Sequence, residues 1–121
     1  MKQILIVEDQ AEIRELVRIS LEFEDYDIHE AENGVAGWEK LRTLQPDLVL
    51  LDLMMPGGVD GLELCRRIRA ESRLKRTKVI MLTARTSGAD RSAGLAAGAN
   101  GYLAKPFSPL ELMKTIASAL A

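Results

Sequence analysis

Leu48-Val49-Leu50-Leu51-Asp52-Leu53-Met54-Met55-Pro56 decides the fold. Leu48 to Leu51 is apolar at every position, where a strand with one wet face would alternate, and it ends on the carboxylate of Asp52. Such a run is a short strand buried on both faces. A loop with Pro56, Gly57, Gly58 and Gly61 follows it. Two other runs have the same form. Ile4 to Val7 precedes Glu8-Asp9, and Val79 to Leu82 precedes Thr83. Tyr26 to Glu30 is a more polar strand of the kind found at a sheet edge, and Gly101 to Leu103 is a short last strand leading into Lys105-Pro106.

Helical spacing fills the intervals. Ile13, Leu16, Val17, Ser20 and Leu21 mark a first helix, with Asp9 and Glu12 spaced as a capping box. Ala36, Leu41 and Leu44 mark a second, capped by Asn33 and stopped at Gln45-Pro46. Leu62, Cys65 and Ile68 mark a third with a basic outer face, so Cys65 reads as core. Residues 87–98 are a weaker helix, because Gly88, Gly94 and Gly98 each disfavour it, and Gly98 is a natural terminator. Ser108-Pro109-Leu110-Glu111 opens the last helix with Ser at the cap, Pro at the first helical position and Glu at the third. Its stripe reads Leu110, Met113, Ile116, Ala117 and Leu120. Five strands alternating with five helices over short connections imply a parallel sheet with helices on both faces.

Length and composition narrow the function. The 121 residues form one domain, with 47% apolar and 28% charged residues as in ordinary globular chains. The net charge of −2 excludes a strongly basic nucleic-acid module. One cysteine excludes an internal disulfide and a Cys-rich metal site. No apolar run approaches the roughly 18 residues of a membrane span, and Met1 to Val7 reads as a strand rather than a signal peptide. The expectation is a soluble protein of a reducing compartment.

In parallel sheets of this kind, ligands sit outside the carboxyl ends of the strands, where strand order reverses. Those ends carry Glu8, Asp9, Asp52, Thr83 and Lys105. Three carboxylates in close quarters repel and should recruit a cation. Hard oxygen ligands suit Mg2+, which favours a phosphate as co-ligand. Lys105 supplies a point charge for phosphate oxygens, and the Thr83 hydroxyl can donate to another. Each residue alone has a plainer reading: Asp9 a helix cap, Asp52 a turn residue, Thr83 a cap, Lys105 a surface lysine, Tyr102 sheet packing. The combination favours the chemistry.

The acidic pair Glu8-Asp9, Val49 to Pro56 around Asp52, Thr83-Ala84, and Tyr102-Leu103-Ala104-Lys105-Pro106-Phe107 together resemble the receiver domain of two-component response regulators. The resemblance covers essentially the whole chain, 1–121. It implies a flavodoxin-like sheet of order 2-1-3-4-5 flanked by five helices. Asp52 is then the phosphoacceptor, taking a phosphoryl group from a histidine kinase or histidine phosphotransfer protein. Asp9 and Asp52 ligate Mg2+, with Glu8 acting through water and the Met54 carbonyl as a further ligand. Lys105 bridges Asp52 and the phosphoryl group. Thr83 and the Ala84 N–H bind that group, and Tyr102 is the aromatic switch coupled to Thr83. The Lys105-Pro106 bond is cis. The resemblance also implies a cytoplasmic signalling switch, not a metabolic enzyme, that catalyses its own phosphorylation and slow dephosphorylation. Its partners are the kinase and an output domain or downstream protein; it does not itself bind nucleic acid or membrane.

Some residues depart from the family pattern. The loop Pro56 to Gly61 is one residue longer than usual. Asn100-Gly101 replaces an acidic pair, and the last helix has Lys114 as its only base. These departures predict a mostly monomeric unphosphorylated protein and at most a weak dimer on activation. Residues 84–107 are the expected mobile element. Three rivals fit less well. An aspartyl-phosphate hydrolase needs a second Asp where Met54 stands. A flavin mononucleotide binder needs a phosphate loop where Glu8-Asp9-Gln10-Ala11 would repel one. A pseudo-receiver would lack key residues that are all present. His29 lies in the edge strand, Trp38 covers the second helix, and the basic residues Arg66, Arg67, Arg69, Arg73, Lys75, Arg76 and Lys78 read as a solvated face.

Overall fold

The computed structural model describes residues 1–55, 58–84 and 88–121. Five parallel strands, β1 (Lys2–Val7), β2 (Tyr26–Ala31), β3 (Leu48–Asp52), β4 (Lys78–Thr83) and β5 (Gly101–Ala104), pair in the order β2-β1-β3-β4-β5. The helices are α1 (Ala11–Ser20), α2 (Gly34–Leu44), α3 (Gly61–Ala70), α4 (Gly88–Ala96) and α5 (Pro109–Leu120). A short 3-10 turn, Ser72–Leu74, precedes β4.

Two cores explain the continuous apolar runs. Leu5, Val7, Val49, Leu51, Val79 and Met81 face one side and pack with Leu41 of α2 and Leu64, Cys65 and Ile68 of α3. Their neighbours Ile4, Ile6, Leu48, Leu50, Ile80 and Leu82 face the other, against Val17 and Leu21 at α1 and Leu112 and Ile116 of α5. Successive strand residues point to opposite faces, so a strand covered on both sides is apolar at every step.

Local chemistry sets most boundaries. The Asn33 side chain accepts the Ala36 N–H at 2.8 Å and caps α2. Ser108 and Glu111 form the expected capping box of α5. Gly98 turns the chain after α4 with φ of 104°, a conformation that costs a glycine little. The Lys105-Pro106 bond is cis.

Four expectations are corrected. Asp9 and Glu12 do not cap α1: the cap residue is Gln10, with no side-chain bond, and its own N–H goes to Glu8 Oε2 at 3.1 Å. Asp9 stands one residue too early to reach the helix amides. The buried stripe of α5 is Leu112 and Ile116 flanked by Met113, Ala119 and Leu120, whereas Leu110 and Ala117 are exposed. The fourth helix covers Gly88–Ala96 rather than 87–98, residue 87 lying outside the described residues. Arg69 is no solvated residue of the basic run. Its guanidinium donates to the carbonyls of Gly98 at 2.8 Å and Thr77 at 2.9 Å and to Asn100 Oδ1 at 2.7 Å, tying α3 to both ends of the turn into β5. Arg73 in the same run is exposed and, among the described residues, pairs with Glu71.

Of the longer loop, Pro56 and Gly57 lie outside the described residues, and Val59 is buried in the α2/α3 core. Gly61 opens α3 against the end of β3. A Cβ there would stand 2.3 Å from the Asp52 carbonyl oxygen, a contact that backbone alone could relieve. Gly61→Ala is therefore expected to lower stability by roughly 1–3 kcal/mol, measured by urea unfolding. An unchanged midpoint would show that α3 shifts freely away from Asp52.

Candidate functional site

The strand order reverses between β1 and β3, and the acidic residues converge there. Glu8 and Asp9 follow β1, Asp52 closes β3, and one carboxylate oxygen of each lies within 4.8 Å of the others. Glu8 and Asp52 are buried and Asp9 is exposed. Lys105, the residue after β5, places its ammonium 2.5 Å from Glu8 Oε1 and 3.4 Å from Asp52 Oδ1. The backbone N–H of Lys105 donates to the Thr83 carbonyl at 2.6 Å, which pins the approach to α5 against the end of β4. Asp52 Oδ1 also accepts the Met54 N–H at 3.2 Å.

The carboxylates outnumber the ammonium, and protonation reflects this. Burial, then the charge of Glu8 and a hydrogen bond with it, push Asp52 up to about 7, while Lys105 pulls it partly back. For Asp9, slight burial acts upward, but hydrogen bonds with Glu8 and Asp52 outweigh it and hold the group below its usual value. Of these two carboxyls, Asp52 is therefore the one that holds a proton more readily. A cluster that retains a proton near neutrality, with hard oxygen donors, fits a divalent cation in place of that proton.

Thr83 is 1% exposed, and its hydroxyl has no hydrogen-bond partner among the described residues. A buried hydroxyl left this way costs about 1–3 kcal/mol, so its presence at the strand end points to an acceptor that arrives from outside. Ala84 beside it is exposed. Tyr102, opposite Met81 in the β4–β5 register, is half-buried, and the Arg91 guanidinium of α4 lies 4.1 Å from its ring centre. Met54, two residues past Asp52, is 75% exposed. A cavity of about 620 Å³ opens beside Asp9, walled by the start of α2 and by Gly58 and Val59.

A sequence model described as the response regulator receiver domain matches residues 4–117. The chain belongs to that family. This receiver is 48% identical over 118 residues to the transcriptional regulatory protein ResD of Bacillus subtilis, an alignment covering 98% of the chain and 48% of ResD. It is 41% identical over 119 residues to the phosphate regulon transcriptional regulatory protein PhoB of Pseudomonas aeruginosa, covering 98% and 52%. The receiver spans about half the length of these curated relatives. Among solved structures, the chemotaxis protein CheY4 of Vibrio cholerae superposes with a TM-score of 0.93 at 34% identity, over 99% of both chains. A LuxR-family DNA-binding response regulator from Staphylococcus aureus gives 0.89 at 27%, over 100% of both.

The receiver fold therefore brings Glu8, Asp9, Asp52 and Lys105 together, with Thr83 at the next strand end. His29 stays in the edge strand, bonded to Gln3 Oε1 at 2.7 Å. Cys65 is buried core, its thiol 3.4 Å from the Ala97 carbonyl. Trp38 lies under the guanidinium groups of Arg42 and Arg67. Sequence reasoning missed Arg14, whose Nη1 donates to the Glu8 carbonyl at 2.7 Å. An arginine three residues into an amphipathic helix carries no signal that it reaches back to the preceding strand. No helix among the described residues is long and apolar enough to cross a membrane.

Proposed function

We propose that residues 1–121 form one receiver that accepts a phosphoryl group on Asp52 from a phosphohistidine of a kinase or phosphotransfer protein. The observation that carries this reading is the Asp52 carboxylate held between Glu8, Asp9 and Lys105, one strand from the Thr83 hydroxyl, which has no partner among the described residues. In the step, an Asp52 oxygen forms the new bond to phosphorus. The bond from phosphorus to the histidine nitrogen breaks, and its electron pair stays on the imidazole. Such transfer needs positioning and charge neutralisation more than covalent help.

Asp9, Asp52 and the Met54 carbonyl would hold Mg2+, with Glu8 acting through water. Bound there, Mg2+ supplies positive charge to the phosphoryl oxygens. Lys105 would add a second positive charge. Thr83 donates its hydroxyl to a phosphoryl oxygen, helped by the Ala84 N–H. Movement of Thr83 toward the new charge vacates space for Tyr102, and residues 84–107 respond; residues 85–87 of that stretch lie outside the described residues. The changed face of α4, β5 and α5 then controls an output domain or downstream protein. The domain binds neither nucleic acid nor membrane itself, acts in the cytoplasm and slowly removes its own phosphoryl group. Asn100 is already committed to Arg69 and to the Val79 N–H, which fits a mostly monomeric domain with at most a weak dimer on activation.

Intact mass after incubation with acetyl phosphate and Mg2+ is expected to rise by one phosphoryl group. Chelation of the metal or Asp52→Asn should remove the gain. Equal labelling of the Asn variant would contradict the assignment.

A further inference from the structure

We infer that Arg14 is a positioning residue for the divalent-cation site, acting through the peptide that joins Glu8 to Asp9; this rests on the proposed role of Glu8, Asp9 and Asp52. The β1 ladder ends at Val7, whose partners are Ala31 and Leu51. Glu8 still donates its N–H to the Ala31 carbonyl at 3.0 Å, but its own carbonyl lies past the last paired residue. Arg14 takes that carbonyl with Nη1 at 2.7 Å.

The same guanidinium is anchored from the other side. Its Nε donates to Glu30 Oε1 at 3.2 Å, and the side chain is 17% exposed. Glu30 is itself held: Arg18 pairs with its other oxygen, and Lys40 of α2 donates to its carbonyl. Arg14 thus joins α1, the edge strand β2 and the end of β1 at one planar fork, a geometry that lysine lacks.

The Glu8 carbonyl and the Asp9 N–H belong to one planar peptide unit. Both residues flanking that unit supply carboxylates to the cluster. A net change in the backbone torsions on either side of the unit would redirect the two side chains relative to each other, and the Arg14 bond opposes that change. Groups that orient metal ligands without touching the metal commonly affect affinity about 10–100-fold. Arg18 is the internal control: it shares Glu30 and its net charge with Arg14, yet among the described residues its hydrogen bond goes to Glu30 and not to Glu8.

Mg2+ affinity is to be measured by calorimetry on the metal-free protein, with thermal unfolding in parallel. Arg14→Gln is expected to weaken Mg2+ binding roughly tenfold, whereas Arg18→Gln changes it less than about twofold. A tie that merely fastens α1 to β2 would lower stability in both variants and leave affinity unchanged in both, which would overturn the inference. Equal weakening by the two variants would also overturn it, since Arg18 cannot orient Glu8. In the wild type, which needs no substitution to fold, the Arg14 Nε–H and Asp9 amide NMR signals should shift during Mg2+ titration with one midpoint. An Arg14 signal that stays in place while the Asp9 amide moves would refute the coupling. Absence of any Mg2+ binding by the wild type would instead remove the cation-site reading itself, and this inference with it.

Discussion

Asp52→Asn is expected to raise the thermal stability of the metal-free receiver at pH 8, although it removes the proposed phosphoacceptor. The wild-type carboxyl is pushed from 3.8 to about 7 by burial and by Glu8. Between those values the folded state holds a proton that the unfolded chain has released, so stability falls as pH rises from about 4 to about 7 and stays low above. Each unit of displacement corresponds to about 1.4 kcal/mol, so the loss is on the order of a few kcal/mol. Asparagine keeps the shape and the oxygen that accepts the Met54 N–H but carries no charge to suppress. Asp9 does not mask the effect. Its lowered value contributes stability that is present above 3.8 and is lost only at more acid pH. Calorimetric melts at pH 5 and pH 8 should show the wild type losing stability with rising pH and the Asn variant losing less. The variant should melt roughly 10 °C higher at pH 8. Added Mg2+ should flatten the wild-type slope, because the cation replaces the proton. A variant that melts no higher than wild type at pH 8 would mean that the cluster is not repulsive.

Lys105→Ala should act in the opposite direction and at least as strongly. Glu8 is fully buried, and among the described residues Lys105 is the cation in contact with its carboxylate. Removing one partner of a buried ion pair leaves an uncompensated charge and costs about 3–5 kcal/mol. It also removes the charge that draws Asp52 downward, so a larger share of Asp52 stays protonated and unable to attack phosphorus. Phosphorylation by acetyl phosphate is expected to fall roughly 100-fold, as when one preorganised donor is lost from a reacting centre. Mg2+ should restore part of the stability and little of the rate. Lys105→Met, which keeps the aliphatic stem, should behave like Ala and so separate charge from packing. Arg73→Ala should change neither property, because Arg73 is exposed and, among the described residues, pairs with Glu71. A greater loss of phosphorylation from Arg73→Ala than from Lys105→Ala would place donor binding on the basic face of α3.

The strand ends were legible because burial on both faces writes itself into consecutive residues. Ile4 and Ile6 serve one core while Leu5 and Val7 serve the other. Once five such segments alternate with helices, Glu8, Asp9, Asp52, Thr83 and Lys105 fall at one edge of the sheet. The α2 and α5 caps were legible for a different reason: they close within three residues. The α5 stripe was legible only in part. The expected Leu110, Met113, Ile116, Ala117 and Leu120 and the observed Leu112, Met113, Ile116, Ala119 and Leu120 both satisfy helical spacing, and the sheet selects the second. Contacts to backbone carbonyls were equally hidden, since every residue carries a carbonyl and nothing in a side-chain pattern says which one is unpaired. Arg14 and Arg69 both bind such carbonyls, at Glu8 and at Gly98 and Thr77. The strength of the Glu8–Lys105 contact belongs to the same class. Residue types placed both groups at the site, but only three-dimensional packing made Glu8 the nearer carboxylate.

Borohydride trapping of the phosphorylated protein tests the central claim most directly. Hydride reduces an acyl phosphate to an alcohol, converting the modified aspartate into homoserine and releasing phosphate. The wild type, incubated with Mg2+ and acetyl phosphate, reduced and digested, should carry homoserine at position 52 in the peptide spanning Leu48 to Met54. Label recovered at Asp9 or Glu8 instead, or phosphate on His29, would contradict the account.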